Sequence, residues 1–294
     1  MMEAQEKSDY LELPVVEVSG GGLVYANARD RDAALQMGAF LVPIPAGLDV
    51  AAGLQLSRNF YKPVTSADDG YSGHRDHGHE ESKLGYSDRP DQVEQLQLES
   101  LYWDMYLPSA VTGLLREMET LTLDILYGVL ASAGVRESDM REITGGLREG
   151  TGWCHSTVNH YRSDLPDRHG IVDHTDSGFI TLLYADQPGL EILHQGRWRP
   201  TRVQEEYFIV NFGDGVEILT AHLPKPVTAV VHRVPESPPK EGEDRSSFTI
   251  FMGPRYDMEL YQYDTEGNLG VYQGFRDFSV EKAAKLGYEF HPRL

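Results

Sequence analysis

The two halves of the chain carry different hydrophobic periods. Between residues 97 and 133, Val111, Leu114, Leu115, Met118, Leu121, Ile125, Leu126, Val129 and Leu130 recur at three- and four-residue steps. That spacing predicts a long helical region with one apolar stripe, packed onto a sheet. Pro108 should break or kink it, and Gly134 should stop it. Ser138 is expected to cap a brief helix running to about Ile143. Upstream, residues 13–18 read as a short strand and Gly20-Gly21-Gly22 as a flexible break. Residues 33–38 and 48–61 read as helical, and residues 39–44 as a buried strand closed by prolines. From Thr151 the period falls to two. Strands follow one another between Pro-Gly, Gly-Asp and Pro-rich turns, as in an all-β sandwich or barrel. Residues 235–244 read as a surface loop. After Pro254 come a Tyr-rich segment and a helix near residues 280–286.

Composition narrows this picture without redirecting it. A chain of 294 residues with 40% apolar content can bury a full core, and no run is long enough for a membrane span. The polar, acidic start (Met1 to Lys7) lacks the layout of a signal peptide. The single cysteine, Cys154, leaves no internal disulfide, in keeping with a cytoplasmic setting. The formal charge of −20 argues against a nucleic-acid partner, which needs clustered Lys and Arg. It describes a solvated acidic surface and names no site. One domain is expected: a strand and helix portion over 1–150, a β core over 151–255 and a C-terminal segment over 256–294.

The chemistry concentrates between His174 and Ser247. His174-Thr175-Asp176 supplies an imidazole and a carboxylate, and His232 follows 232 − 176 = 56 positions later. Two imidazoles and one carboxylate occupy one face of an octahedral Fe(II) and leave three positions open. Any of these residues alone would be an ordinary turn or core residue. A second His-x-Asp, His74-Arg75-Asp76, lies in a stretch rich in Gly, Ser, Asp, Glu and His, with no apolar strand leading into it. We read it as a solvated turn. His77 or His79 of that loop could still touch a substrate if the loop covers the mouth of a site.

The order of motifs in this half resembles the Fe(II)/2-oxoglutarate-dependent oxygenases of the isopenicillin N synthase-like superfamily. The resemblance rests on His174-Thr175-Asp176, Val210-Asn211-Phe212-Gly213-Asp214, His232-Arg233-Val234 and Arg245-Ser246-Ser247, preceded by Asn159-His160-Tyr161. It implies a mainly β fold with flanking helices, built on a double-stranded β-helix (jelly roll) core with the N-terminal helical region packed on the sheet. It implies Fe(II) held by His174, Asp176 and His232, with O2 and 2-oxoglutarate as co-substrates. Arg245 and Ser247, two apart on a strand, face the same way and suit the far carboxylate of 2-oxoglutarate, to which Tyr161 adds a hydrogen bond. The chemistry implied is hydroxylation of an unactivated C–H bond of a small specialised metabolite through a ferryl species, with succinate and CO2 released.

His222 is a rival third ligand. His232 is preferred because its surroundings match the family and a β-run over 227–231 leads into it. His160 and His194 read as ordinary strand and turn residues, and Asn159 as an orienting residue. Alternation puts His155 and Thr157 on the face of Tyr161, which makes them candidates for substrate contact. Arg245 lies 245 − 232 = 13 positions after His232, a few more than is usual in the family, and the intervening loop can absorb the excess. Asp176 disfavours halogenation, which in related enzymes uses a small residue there. Two alternatives stay open: an iron oxidase that uses no 2-oxoglutarate, and a non-catalytic jelly-roll protein that binds metal or 2-oxoglutarate. The substrate and the oligomeric state are not legible.

Overall fold

The computed structural model describes residues 10–64, 66, 69–77, 85–165, 168–236 and 243–286. Strands β1 (Glu17–Ser19) and β2 (Gly22–Val24) form a hairpin. Gly20 and Gly21 turn it at φ 60° and 73°, a region glycine enters without strain. The expected strand over 13–18 is thus displaced toward the turn, with Leu11 and Val15 making only isolated bridges. Helix α1 (Ala28–Met37) begins before the apolar residues because Asn27 caps it, its side chain accepting from the Asp30 amide. Strand β3 (Ala39–Pro43) is buried as expected, while helix α2 (Ala51–Ser57) is shorter than the pattern predicted.

Strands β4 (Tyr86–Asp88) and β5 (Val93–Glu99) correct the expectation for the next region. Residues 97–99 fall at the start of the region expected to be helical. Instead β5 points Glu94, Leu96 and Leu98 to one face and Val93, Gln95 and Gln97 to the other. Both faces carry polar residues, which hides the alternation. A short turn of helix, α3 (Trp103–Tyr106), precedes α4 (Ser109–Ala133). Pro108 breaks the expected helical region, leaving the short α3 before it and standing at the N-cap of α4, and Gly134 stops α4 at φ 98°. In α5 (Glu137–Thr144) the cap position is Arg136, with no side-chain cap. Ser138 lies within that helix and bonds Asp139, so the expected cap is absent.

The second half runs β6 (Trp153–Tyr161), β7 (Ile171–His174), β8 (Ile180–Ala185), β9 (Glu191–His194), β10 (Arg197–Pro200), β11 (Tyr207–Phe212), α6 (Asp214–Thr220), β12 (His232–Val234) and β13 (Arg245–Gly253). A hairpin, β14 (Glu259–Tyr263) and β15 (Leu269–Gly274), leads to the C-terminal helix α7 (Phe275–Leu286). Seven strands form one antiparallel sheet in the order β3-β11-β8-β13-β6-β5-β4, and four form another, β10-β9-β12-β7. Together they make a jelly-roll core.

The two faces of the large sheet have separate tasks. One carries Leu96, Val158, Leu182, Val210, Phe248 and Ile250 and joins the stripe of α4 (Val111, Leu114, Leu115, Met118) in a single buried cluster. Truncating a buried leucine such as Leu115 to alanine costs roughly 2–5 kcal/mol in such a core. The opposite face is polar and lines a cavity of about 210 Å³. Among the described residues no helix is long and apolar enough to cross a membrane.

Candidate metal centre and co-substrate pocket

Strand pairing builds the first cluster. His174 ends β7 and His232 begins β12, and the two are direct cross-strand partners. Their rings lie 4.4 Å apart between centroids. Nδ1 of each ring faces the backbone carbonyl two residues earlier, Val172 at 2.8 Å and Val230 at 3.0 Å. With Nδ1–H donating there, Nε2 of each ring presents a lone pair inward. Asp176 Oδ1 sits 3.7 Å from Nε2 of His174 and 3.9 Å from Nε2 of His232. Its other oxygen accepts from Thr181 Oγ1 at 2.6 Å. All three donor atoms lie within 4.8 Å of one another, the only such group of three His, Cys, Asp or Glu among the described residues.

The electrostatics match this geometry. Burial, with His232 beside it, lowers His174 to about 4, so the imidazole stays neutral. Burial would raise Asp176, but His232, His174 and the Thr181 hydroxyl hold it below the ordinary carboxylate value. A neutral imidazole beside an ionised carboxylate is the state a divalent cation requires. Glycine makes the turn possible: a Cβ at Gly213 would sit 2.7 Å from the Asp176 carbonyl oxygen.

Strand β13 supplies the second cluster. Arg245, Ser247, Thr249 and Phe251 all line the cavity, opposite Tyr161, Asn159, Thr157 and His155 of β6 in register. Arg245 lies over the Tyr161 ring at 4.5 Å and donates from Nε to the Gln187 carbonyl at 3.1 Å. Its Nη1 is buried with no partner in the protein. A guanidinium with a spare buried donor facing a cavity is a socket for an acid. Gly189 permits the approach, since a Cβ there would stand 2.9 Å from Arg245 Nε. Asn159 Nδ2 donates to Ser247 Oγ at 3.1 Å and its Oδ1 accepts from Gln95 Nε2 at 2.7 Å. Asn159 therefore orients a neighbour while also lining the cavity.

The other candidates separate. Thr157 lines the cavity and accepts from Gln97. His155 is buried between Trp153 and Phe251, with its ring 4.9 Å from that of Phe251 and nearly parallel to it. Burial drives its imidazole down to about 3, against the pull of Asp176. Phe251, rather than His155, stands on the cavity wall. His77 packs edge-on against Tyr106, 4.8 Å away, and is absent from that wall. His79 lies outside the described residues. His222 is exposed beyond α6 and is not part of the cluster. His160 is more than an ordinary strand residue, because its two nitrogens face Glu94 and Asp244 at 2.8 Å each while its ring stacks on Tyr61 at 3.7 Å.

Thr181, Gln95, Asn211, Arg89 and Phe251 also line the cavity, and the sequence reading passed them over. Only period two around a recognised neighbour could have found Thr181 and Phe251. Gln95 lay in a strand that was not recognised.

Comparison with known proteins agrees with the site. Residues 153–254 match the family model of the 2OG-Fe(II) oxygenase superfamily. Over these residues the chain is similar to that superfamily. It is 37% identical over 144 residues to gibberellin 2-beta-dioxygenase 8 of Arabidopsis thaliana, an alignment covering 46% of this chain and 40% of that protein. The chain thus spans less than half the length of that curated relative. The fold extends further: a dioxygenase for auxin oxidation in rice superposes with TM-score 0.70 at 23% identity, covering 96% of this chain and 98% of that one. The structure of JOX2 in complex with 2OG, Fe and JA superposes with TM-score 0.67 at 20% identity, covering 93% and 85%. The superfamily implies Fe(II) and 2-oxoglutarate. The donor set of His174, Asp176 and His232 fits the first, and the unpartnered Nη1 of Arg245 fits the second.

Proposed function

We propose that the protein is an Fe(II)- and 2-oxoglutarate-dependent oxygenase that hydroxylates an unactivated C–H bond of a small specialised metabolite. The observation that carries this reading is the buried, unpartnered Nη1 of Arg245 on the lining of the same cavity as the His–Asp–His cluster. His174, Asp176 and His232 are the iron ligands in this reading. Arg245 and Ser247 hold the distal carboxylate of 2-oxoglutarate, with the Tyr161 hydroxyl beside them. Bound iron supplies the redox chemistry that couples 2-oxoglutarate decarboxylation to O2 activation.

The chain's own residues do the rest. Because Asn159 donates to Ser247 Oγ, the Ser247 proton is left to donate to the acid. Thr181 occupies one oxygen of Asp176 and leaves Oδ1 to the metal. Apolar Ile171, Leu183, Leu190 and Val234 on the cavity lining limit water. Gln97, Thr157 and Phe251 form the side left for substrate.

The test is succinate. Protein supplied with Fe(II), 2-oxoglutarate and O2 should release it above the protein-free rate, and more with a substrate that fits. Consumption of O2 and substrate without succinate would instead identify an oxidase that takes every electron from its substrate. Ligand binding with no turnover across a broad substrate panel would point to a sensor.

A further inference from the structure

The ligand-bearing turn is held from a place no sequence motif marks. His174 and Asp176 are separated only by Thr175. The ammonium of Lys282, on the C-terminal helix α7, donates to the Thr175 carbonyl at 2.7 Å and to Thr175 Oγ1 at 2.8 Å. Its third bond goes to Asp214 Oδ2. An ammonium has three donors, and all three are used. The side chain is only 15% exposed, so these bonds lie largely out of water. Asp214 in turn donates its backbone amide to the Asp176 carbonyl at 2.8 Å. One lysine, 107 residues downstream, therefore holds the middle of the turn that carries two of the three donor groups directly, and its Asp176 end through Asp214.

We propose that Lys282 is a positioning residue for the metal centre, so that metal affinity depends on the C-terminal helix. This rests on the iron reading above. An imidazole and a carboxylate one residue apart converge only if the intervening peptide is fixed, and Lys282 fixes it through the carbonyl and the hydroxyl of that residue. Partners that orient ligands in this way usually change metal affinity by about 10- to 100-fold when removed.

The experiment is an anaerobic Co(II) titration followed by the visible spectrum of the bound ion, with thermal unfolding of each metal-free protein alongside. Lys282→Met should weaken Co(II) by about 10- to 100-fold and alter the ligand-field bands. Lys282→Arg should recover part of the affinity. Thr175→Val, which removes one acceptor and keeps the lysine, should give a smaller loss, and the two changes combined should fall short of the sum of their separate effects. A folded Lys282→Met protein with parental affinity and spectrum overturns the proposal and leaves the iron reading standing. If that variant does not fold, parental affinity in Thr175→Val overturns it equally. A parent that binds no Co(II) overturns the iron reading itself.

Discussion

The chain contains two His-x-Asp tripeptides, and their fates differ. His74-Arg75-Asp76 forms a single 3₁₀ turn. There the His74 Nε2 is engaged by the Gly70 carbonyl at 3.1 Å, Arg75 pairs with Glu94 at 2.8 Å, and the His74 ring packs beside His77. No further ligand group joins it among the described residues. His174-Thr175-Asp176 instead ends a strand whose neighbour brings His232 directly opposite. In both of these histidines Nδ1 is occupied by a strand carbonyl, which leaves Nε2 toward the cavity. The tripeptide alone does not bring three donor groups together. Pairing with a second strand does, because it fixes a third group in register and settles which nitrogen is available.

Four experiments can break or sharpen that contrast. The largest effect is expected from His232→Ala. Losing a proposed direct ligand should lower Fe(II) affinity by more than about 100-fold, beyond the range usual for outer partners, and abolish 2-oxoglutarate decarboxylation. Equilibrium dialysis and a succinate assay read these, and unchanged binding would count against the assignment. Next comes Arg245→Ala. Removing one side of a buried charge pair costs about 2–5 kcal/mol, so the Kd for 2-oxoglutarate should rise at least about 30-fold while Fe(II) binding persists. Equal affinity for 2-oxoglutarate would remove Arg245 from that role.

The third experiment concerns pH. The folded protein keeps His155 neutral down to about pH 3, whereas the unfolded chain takes up that proton near pH 6.5. As the pH falls through this window the unfolded state binds the proton first, so stability declines, by at most about 1.4 kcal/mol per pH unit from this group. His155→Phe should flatten the pH dependence of urea unfolding between those limits. An unchanged slope would show that His155 does not contribute. The smallest effect is expected from His74→Ala, which should cost roughly 1–3 kcal/mol through lost burial and its hydrogen bond, yet leave metal affinity untouched.

Much of the site was legible because its chemistry is confined to a few residue types. Two imidazoles, a carboxylate and an Arg-x-Ser pair stand out whatever lies between them, and alternation along β13 placed Arg245 and Ser247 on one face. The long helix was legible because a stripe of nine apolar residues has one period. Strand β5 was hidden, since Glu94, Gln95 and Gln97 put polar groups on both of its faces. Glu94 is tolerated there because Arg75, Tyr86 and His160 surround its carboxylate. Burial would raise its pKa, but their hydrogen bonds bring it down to about 2. That network joins residues 75, 86, 94, 160 and 244, and Lys282 reaches Thr175 across 107 positions. Contacts of this kind have no period and no fixed spacing, so only the fold reveals them.

The contrast between the two tripeptides can be decided in one measurement: anaerobic equilibrium dialysis of the parent, His74→Ala and His232→Ala proteins against Fe(II). The expected result is one tightly bound ion per chain in the parent and in His74→Ala, and none in His232→Ala. Retention of the ion by His232→Ala, or its loss from a folded His74→Ala, would contradict the placement of the metal centre on β7 and β12.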